Sequence, residues 1–186
     1  MAKTELTLEL EKNLYSNTSK TGVFGCFEVT IGFNSYKPER VDYMTYDTKG
    51  IWRCYEIKVS KSDFHSKANK TFVGHYNYYV MPKELYEEVK EEIPQYIGVH
   101  SGNYCIKSAK KQDLAVDEKI LKDSLIRSLC RDSEKLYQSE NAKYIKQLKN
   151  RISKLEKELK EWKKDCNDIY KKVRNKYGIN WDNDIM

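Results

Sequence analysis

The spacing of apolar residues predicts one helix and then a series of strands in the first part of the chain. Leu6, Leu10 and Leu14 recur at every fourth position, which places them on one face of a helix over residues 3–15. A helix is also expected within 61–71. The remaining pattern predicts a helix over 83–93 and strands, rich in β-branched and aromatic residues, over 23–33, 40–46, 51–60, 75–81, 96–100 and 104–107.

The remainder of the chain is predicted to be helical, because residues 113–177 contain neither proline nor glycine. Residues 113–134 have the pattern of an amphipathic helix that could dock on the preceding domain. From Ile145 onward the apolar residues alternate between spacings of three and four, which is the heptad pattern of a coiled coil. The predicted seam consists of Ile145, Leu148, Ile152, Leu155, Leu159, Trp162, Cys166, Ile169 and Val173.

The heptad assignment also predicts how two such helices would pair. With Ile145 at position a, Arg151 would face Glu156 of a parallel second copy, and Glu158 would face Lys163. Both pairs are attractive, although exposed pairs of this kind contribute only roughly 0.2–1 kcal/mol each. The pattern favours a parallel homodimer, and the alternative is a helix folded back on its own domain.

The charge of the predicted α/β part differs from that of the predicted coiled coil. The net charge is +6, but residues 1–134 hold 20 basic and 20 acidic residues, whereas residues 135–177 hold 14 basic and 6 acidic residues. Such a basic stripe could meet the phosphates of a nucleic acid, and a solvated helix face is the plainer alternative. The chain is thus expected to contain an α/β domain (1–112), a connecting helix (113–134), a basic coiled coil (135–177) and a tail (178–186).

Composition argues against several classes of protein. No stretch of roughly 18 apolar residues is present that could cross a membrane, and the first residues lack the apolar core of a secretory signal. The five cysteines are widely spaced without a CxxC pair, which argues against a zinc site and for free thiols. A cytoplasmic location is predicted.

Three charged residues stand in strands that otherwise have the composition of buried strands. Asp42 lies in the second predicted strand, and Glu56 and Lys58 lie in the third. The turn over 47–50 makes these strands antiparallel neighbours, so their acids can approach each other. Glu56 and Lys58 share one face because side chains alternate along a strand. An ordinary cross-strand ion pair on a solvent face is the structural alternative.

This combination of groups suits the hydrolysis of a phosphodiester. Mg²⁺ takes carboxylate, carbonyl and water oxygens at about 2.0–2.1 Å. Asp42 and Glu56 would supply two carboxylates to Mg²⁺, or to Mn²⁺ in its place, and the backbone carbonyl of Ile57 would be a third ligand. The metal lowers the pKa of a bound water, and Lys58 would orient that water and offset negative charge on the phosphate.

The order of motifs in this region resembles that of a known superfamily. Residues 39–64 read ERVDYMTYDTKGIWRCYEIKVSKSDF, an acid-ending strand, a hairpin and an E-x-K strand, and they are followed by YNYYVMP (76–82) and IGVHSG (97–102). This order resembles the PD-(D/E)XK nuclease superfamily, and within it the MmcB-like DNA-repair and phage-encoded members. The resemblance covers roughly residues 1–110 and implies a restriction-endonuclease-like core, in which helices flank a central mixed sheet. Val41 stands where the superfamily name has proline, a change that many relatives tolerate.

The resemblance implies a role for each of these positions. Asp42 and Glu56 correspond to the metal ligands, and Lys58 corresponds to the catalytic lysine. Glu39 and Asp63 are further acids close to this motif.

Many members of the superfamily also use a glutamate from the first helix. Glu9 is expected to fill this role in the present chain. Glu5 lies further out, and Glu11 lies on the other flank of the leucine stripe.

The predicted protein is a Mg²⁺-dependent nuclease that hydrolyses phosphodiester bonds of DNA as a homodimer, in phage-related DNA processing or repair. If phage-encoded, it would act in the host cytoplasm. One alternative is a DNA-binding or assembly protein that retains the nuclease fold without turnover, and another is a coiled-coil adaptor whose globular domain binds protein. The expected DNA contacts are Lys61, Lys67, Lys70 and Tyr76, with Trp52 and Tyr78 as further surfaces for base stacking.

Overall fold

The structure is a computed structural model, and it describes residues 3–32, 39–66 and 71–178. It contains two compact units, Met1–Asp132 and Ser133–Met186. A 3₁₀ turn (Lys90–Glu92) follows the third helix. The helices and strands are, in chain order, α1 (Glu5–Thr18), β1 (Val23–Ile31), β2 (Glu39–Asp47), β3 (Trp52–Ile57), α2 (Lys61–Phe64), β4 (Tyr76–Val80), α3 (Lys83–Val89), β5 (Gly98–Ser101), β6 (Tyr104–Lys107), α4 (Glu118–Glu140) and α5 (Ala142–Tyr177).

The first unit is built around one mixed sheet of six strands, which lie in chain order from β1 to β6. β1, β2 and β3 are antiparallel neighbours. β4 is parallel to β3, β5 is parallel to β4, and β6 is antiparallel to β5. The predicted turn between β2 and β3 is present, with the amide of Gly50 donating to the carbonyl of Asp47. The expected α/β class is confirmed and the predicted strands are found with somewhat different ends; the predicted end of β1 at residue 33 lies outside the described residues.

One face of the sheet is covered by α1. Leu10 and Leu14 pack on Tyr55 and Ile57 of β3 in one buried cluster. Each fully buried leucine contributes roughly 1.5–3 kcal/mol, so these contacts hold the helix on the sheet. Leu6, the first residue of the predicted stripe, is 40% exposed.

The opposite face is covered by the later helices. Leu121 and Leu125 of α4 are buried with Met44 and Trp52, and the indole N–H of Trp52 donates to Glu118 Oε1 at 3.2 Å. The amphipathic pattern of this segment predicted such docking. A third cluster joins α2 and α3 to β4 and β5 and contains Phe64, Tyr79, Leu85, Val89 and Val99.

The alternation of faces slips by one residue in the middle of β2. Val41 and Met44 are three positions apart, yet both belong to the same buried cluster, whereas a regular strand would place them on opposite faces. The slip occurs at Asp42, opposite Glu28 of β1, which has a φ of +52° that non-glycine residues rarely adopt. The ladder pairs the residues on either side and skips both of them. The slip turns the Asp42 side chain out of the buried cluster and toward β3.

The second unit is helical. α4 and α5 are separated by Asn141, whose side-chain oxygen accepts the N–H groups of Lys143 and Tyr144 at 3.1 Å each and caps α5. The helix expected over residues 113–134 begins at Glu118, and α4 continues past residue 134 to Glu140. No described residue of α5 is buried, and the seam residues from Leu148 to Ile169 are exposed. Although α5 is 36 residues long, no helix in the described part of the chain is both long and apolar enough to cross a membrane.

Candidate active site

The candidate site forms where β2 and β3 separate. Their antiparallel ladder ends at the pair Tyr43↔Tyr55. The next residue of β2, Asp42, turns its carboxylate toward β3 instead, and its Oδ2 accepts the N–H of Ile57 at 2.9 Å. In an extended strand the N–H and C=O of one residue point the same way. The carbonyl of Ile57 therefore faces the same opening.

Glu56 and Lys58, the residues before and after Ile57, are both buried, at 2% and 5% exposure. Glu56 Oε1 accepts the N–H of Thr71 at 3.2 Å. Burial, and after it the charge of Asp42, raises the pKa of Glu56 to about 8, against the opposing effects of Lys58 and Thr71. The Glu56 carboxyl is therefore largely protonated at neutral pH, and a nearby cation would favour its ionised form.

Lys58 reaches toward Asp63 at the start of α2. Its Nζ lies 3.7 Å from Asp63 Oδ1, while Asp63 Oδ2 accepts the N–H of Val59 at 3.1 Å. The hydroxyl of Ser60 accepts the N–H of Asp63 at 3.2 Å and caps α2. Backbone hydrogen bonds thus fix Asp63, which in turn holds the amine of Lys58 beside the end of β3.

Asp42, Ile57, Lys58 and Asp63 line a cavity of about 270 Å³ between the first turns of α1 and the ends of β2 and β3, which we call the charged cavity. The ammonium of Lys3 lies 2.6 Å from Glu11 and 3.0 Å from Glu28. The hydrogen bond from Lys3 holds the pKa of Glu28 below its ordinary value, against the effect of burial. The charged side chains of the wall are Lys3, Glu11, Glu28, Arg40, Asp42, Lys58 and Asp63.

The helical acid of the charged cavity is Glu11 and not Glu9. Glu9 is exposed on α1 and is outside the cavity wall. Thr7 and Glu11, one helical turn apart, face the cavity. The docking of α1 places Glu11 on the side of Glu28, to which Lys3 connects it. Glu39, the other predicted acid near the motif, is also outside the wall.

Of the four residues predicted to contact DNA, the structure describes Lys61 and Tyr76. Lys61 is exposed at the start of α2, close in sequence to the cavity residues of that helix. Lys67 and Lys70 lie outside the described residues. Tyr76 begins β4 and pairs with the early part of β3, away from the separated strand ends. The prediction that Trp52 stacks on a base is wrong, because its side chain is fully buried beneath α4.

Besides Glu11, three charged residues of the wall were not predicted. Lys3 lies before α1, and Arg40 lies two residues before Asp42. The charge of each residue did not distinguish it from other basic residues of the sequence. Glu28 stands in an apolar strand, where a single acid was the only available signal. Its unusual φ, which brings it to the cavity, cannot be recognised from its residue type.

Among the described residues, the predicted metal ligands do not form a cluster of acidic side chains. Within residues 3–32, 39–66 and 71–178, no group of three or more Asp, Glu, His or Cys side chains is placed to hold a metal ion. The predicted set needs two carboxylates and one carbonyl: Asp42 and Ile57 line the charged cavity, and Glu56 adjoins them, buried and outside its wall. Oxygen donors of this kind fit Mg²⁺, and the raised pKa of Glu56 is the property that a bound cation would reverse.

Comparison with known proteins identifies a structure with the same fold but gives no information on activity. No protein-family model matches the chain, and no curated protein matches it. Among solved structures, the chain is similar to the SPO1766 protein of unknown function from Silicibacter pomeroyi. The TM-score is 0.57 at 18% sequence identity, and the match covers 75% of this chain and 97% of that chain. The chain shares its fold with that protein.

Proposed function

We propose that the first unit is a metal-dependent nuclease of the PD-(D/E)XK type, with a restriction-endonuclease-like core, that hydrolyses phosphodiester bonds of DNA. The observation that carries the proposal is the separation of β2 and β3 at Asp42. There a carboxylate, the peptide group of Ile57 and the amine of Lys58 line one cavity, with Glu56 next to them on the same strand. The order of a helix, three antiparallel strands and a parallel fourth strand also agrees with the sequence resemblance.

Each residue has a distinct part in the proposed reaction. Asp42, Glu56 and the Ile57 carbonyl would hold Mg²⁺ or Mn²⁺, which when bound acts as a Lewis acid and lowers the pKa of water. Lys58 orients the attacking water and compensates negative charge on the phosphate. Asp63 keeps the Lys58 amine directed at the cavity. Because these groups are buried or partly buried, their charges act more strongly than they would in water.

The charge of the chain supports a polyanionic substrate. Residues 135–177 carry 14 basic and 6 acidic residues, and Arg40 and Lys61 are exposed in the first unit, Arg40 in the wall of the charged cavity. Binding of this kind releases counterions, so its affinity should fall steeply with salt. A role in phage-related DNA processing or repair is the context that the resemblance implies.

A cleavage assay tests the proposal. The full chain is incubated with plasmid, single-stranded and branched DNA in Mg²⁺, Mn²⁺ or EDTA, and cleavage is expected only with metal. Glu56→Gln and Lys58→Met should each lower the rate by about 100-fold or more. The same changes on the exposed face of α3, Glu88→Gln and Lys83→Met, are matched controls and should retain the rate. Metal-dependent cleavage that survives Glu56→Gln would refute the assignment.

A DNA-binding or assembly protein that retains the fold without turnover is the second candidate. Two observations favour it: Glu56 is outside the wall of the charged cavity, and Lys58 already has Asp63 as an ion-pair partner. In this case DNA would bind at low salt with the same affinity in wild type and Glu56→Gln, and no metal would support cleavage. A chain that dimerises without any DNA affinity would instead act as an adaptor.

We also propose that α5 forms a parallel coiled-coil homodimer. Its seam is exposed from Leu148 to Ile169, with Ile152, Leu155 and Leu159 at 55%, 54% and 49% exposure. Water disfavours such a continuous apolar row. A second copy of the same helix would cover it. The charges beside the seam suit this partner, because Glu158 of one copy would face Lys163 of the other.

The position of Cys166 makes the dimer testable. Cys166 is exposed and stands at position a, so a parallel pair in register places the two thiols side by side. Mild oxidation should crosslink the wild type and Cys130→Ser but not Cys166→Ser. Ile152→Asp should give a monomer by light scattering. A dimer that persists in Ile152→Asp, or a dimer without the crosslink, would contradict the parallel seam.

A further inference from the structure

An arginine of α4 bonds the backbone of β1, the first strand of the sheet. β1 pairs with β2 on one side, so the backbone groups on its other side need partners from another element. Arg131 supplies two donors, because its Nη1 and Nη2 donate to the carbonyls of Glu28 and Phe27 at 3.1 Å each. Asp132 accepts the Nε–H of the same guanidinium at 2.9 Å and orients it.

The two carbonyls are adjacent in sequence, and a regular strand would not present them together. Successive C=O groups of an extended strand point to opposite sides. Phe27 and Glu28 can bond one guanidinium because the φ of +52° at Glu28 turns the chain between them. A planar guanidinium carries parallel N–H groups that suit two neighbouring acceptors. Arg131 therefore bonds the turned form of β1 and not a regular one.

The turn at Glu28 decides where two acids of the charged cavity lie. Cys26 of β1 and Met44 of β2 belong to the apolar cluster under α4. Two positions further along each strand, a regular ladder would place Glu28 and Asp42 on this same apolar face. The ladder instead skips both residues, and both line the charged cavity. Because the left-handed conformation is unfavourable for glutamate, the turn needs contacts that hold it.

We propose that Arg131 is a positioning residue of the charged cavity: it holds the turn at Glu28 and thereby directs the carboxylates of Glu28 and Asp42 to the cavity. Arg131 is itself outside the cavity wall, so it acts through the backbone of β1. Its effect on metal binding rests on the function proposed above, whereas its effect on the φ of Glu28 does not.

The plainer role for Arg131 is to satisfy the edge of a strand, and a second arginine separates the two roles. Arg127 lies one helical turn earlier on α4, and its Nη2 donates to the carbonyl of Thr30 at 2.6 Å. Thr30 lies beyond the turn, where the ladder is regular. The two arginines make the same type of contact with β1, and only Arg131 bonds the turned residue. Arg127→Met is therefore the matched control for Arg131→Met.

The φ of Glu28 can be measured without metal or DNA. The three-bond coupling between the amide proton and Hα of residue 28 reports this angle, and it is recorded by NMR on the full chain in EDTA. Wild type and Arg127→Met should show the coupling of a positive φ, whereas the coupling in Arg131→Met should move toward that of an extended strand. An unchanged coupling in Arg131→Met, or an equal change in both variants, overturns the inference.

A double-variant cycle separates the turn from general packing. Glycine adopts a positive φ without strain, so the arginine should no longer be needed in a Glu28→Gly chain. Arg131→Met should weaken Mn²⁺ binding by about tenfold in the wild-type chain and leave it unchanged in Glu28→Gly. Calorimetric titration measures the four affinities. Equal losses in both backgrounds, or an equal loss in Arg127→Met, would contradict the positioning role.

Thermal unfolding in EDTA keeps the test independent of metal binding. Arg131→Met should lower the Tm more in the wild-type chain than in Glu28→Gly, and the double variant remains available if Arg131→Met alone folds poorly. Equal decreases in Tm would show that Arg131 does not act through the turn. A wild type that binds no Mn²⁺ would refute the proposed metal site, while the coupling and the Tm values would still decide the role of Arg131.

Discussion

β2 carries an aspartate near each end, and the two are held very differently. Asp47, at the hairpin end, accepts hydrogen bonds from two backbone N–H groups of the turn and from Arg53 at 2.8 Å. Asp42, at the other end, accepts one backbone N–H, from Ile57, and its charge acts on the buried carboxyl of Glu56. One strand pair therefore contains an acid that is held by an arginine and two turn N–H groups, and a second acid whose charge adds to the burial of a neighbouring carboxyl.

The pKa values reflect this difference. Burial by itself would raise the pKa of Asp47, but the bonds from Arg53 and the turn outweigh it and lower the pKa. At the other end, burial followed by the charge of Asp42 raises the pKa of Glu56 to about 8. The first arrangement stabilises the hairpin. Burial of the Glu56 carboxyl beside Asp42 costs stability unless a cation binds. For this reason we propose that these two acids belong to the active site.

The largest difference between Asp42 and Asp47 is expected in metal binding. Asp42→Asn removes a proposed ligand but keeps an acceptor for Ile57, so it should weaken Mn²⁺ binding by about 100-fold while the fold is retained. Asp47→Asn should leave the Mn²⁺ affinity as in wild type and lower the Tm, because it weakens the bond to Arg53. Calorimetric titration with Mn²⁺ and thermal unfolding in EDTA measure the two effects. Equal losses of Mn²⁺ affinity in both variants would contradict the proposal that Asp42, and not Asp47, is a metal ligand.

An intermediate effect is expected in the pH dependence of stability. The pKa of Glu56 is about 8 in the folded protein and near the ordinary 4.5 in the unfolded chain. Between these values the folded state holds a proton that the unfolded state has lost. The free energy of unfolding in EDTA should therefore decrease as the pH rises from about 5 to about 8, by on the order of a few kcal/mol from this group.

Glu56→Gln isolates this contribution, because glutamine cannot ionise. The difference in free energy of unfolding between wild type and variant, measured by urea denaturation, should change steadily in favour of the variant as the pH rises. Glu88→Gln, on the exposed face of α3, is the control and should run parallel to wild type. Parallel curves for Glu56→Gln and wild type would show that burial of this carboxyl is not costly.

The smallest effect is expected at the hairpin. The lowered pKa of Asp47 contributes stability above its ordinary value of 3.8, and this contribution is lost as the pH falls. Arg53→Leu should destabilise by on the order of 1 kcal/mol at neutral pH, since both partners are partly exposed. The gap between wild type and variant should narrow by pH 3, as denaturation at the two pH values would measure. A gap of constant size would mean that Arg53 contributes packing and not charge.

The parts of the fold that local sequence determines were predicted. Alternation and turn residues located the six strands and the hairpin, in which Gly50 has a φ of +80°. Alternation also predicted that Glu56 and Lys58 share one face, and both side chains are buried. Heptad spacing predicted the long helix α5. These features follow from short-range periodicity, which a single sequence contains.

The parts that depend on docking were not predicted correctly. Glu9 and Glu11 flank the leucine stripe of α1, and helical spacing alone could not decide which of them faces the site. The positive φ of Glu28, and with it the slip at Asp42, arises in a residue type that rarely adopts this conformation. The base-stacking role predicted for Trp52 was wrong, because α4, more than 60 residues further along the chain, covers this side chain.

Lys3 connects the beginning of the described chain to the charged cavity, since its ammonium lies between Glu11 and Glu28. A polypeptide fused before Lys3, such as an affinity tag, would emerge at the rim of that cavity. It would there obstruct the approach of a large substrate. Trimming the chain past Lys3 would leave two carboxylates without their counter-charge. Purification tags are therefore better attached after α5, and the absence of the proposed cleavage in an amino-terminally tagged protein would first have to be attributed to the tag.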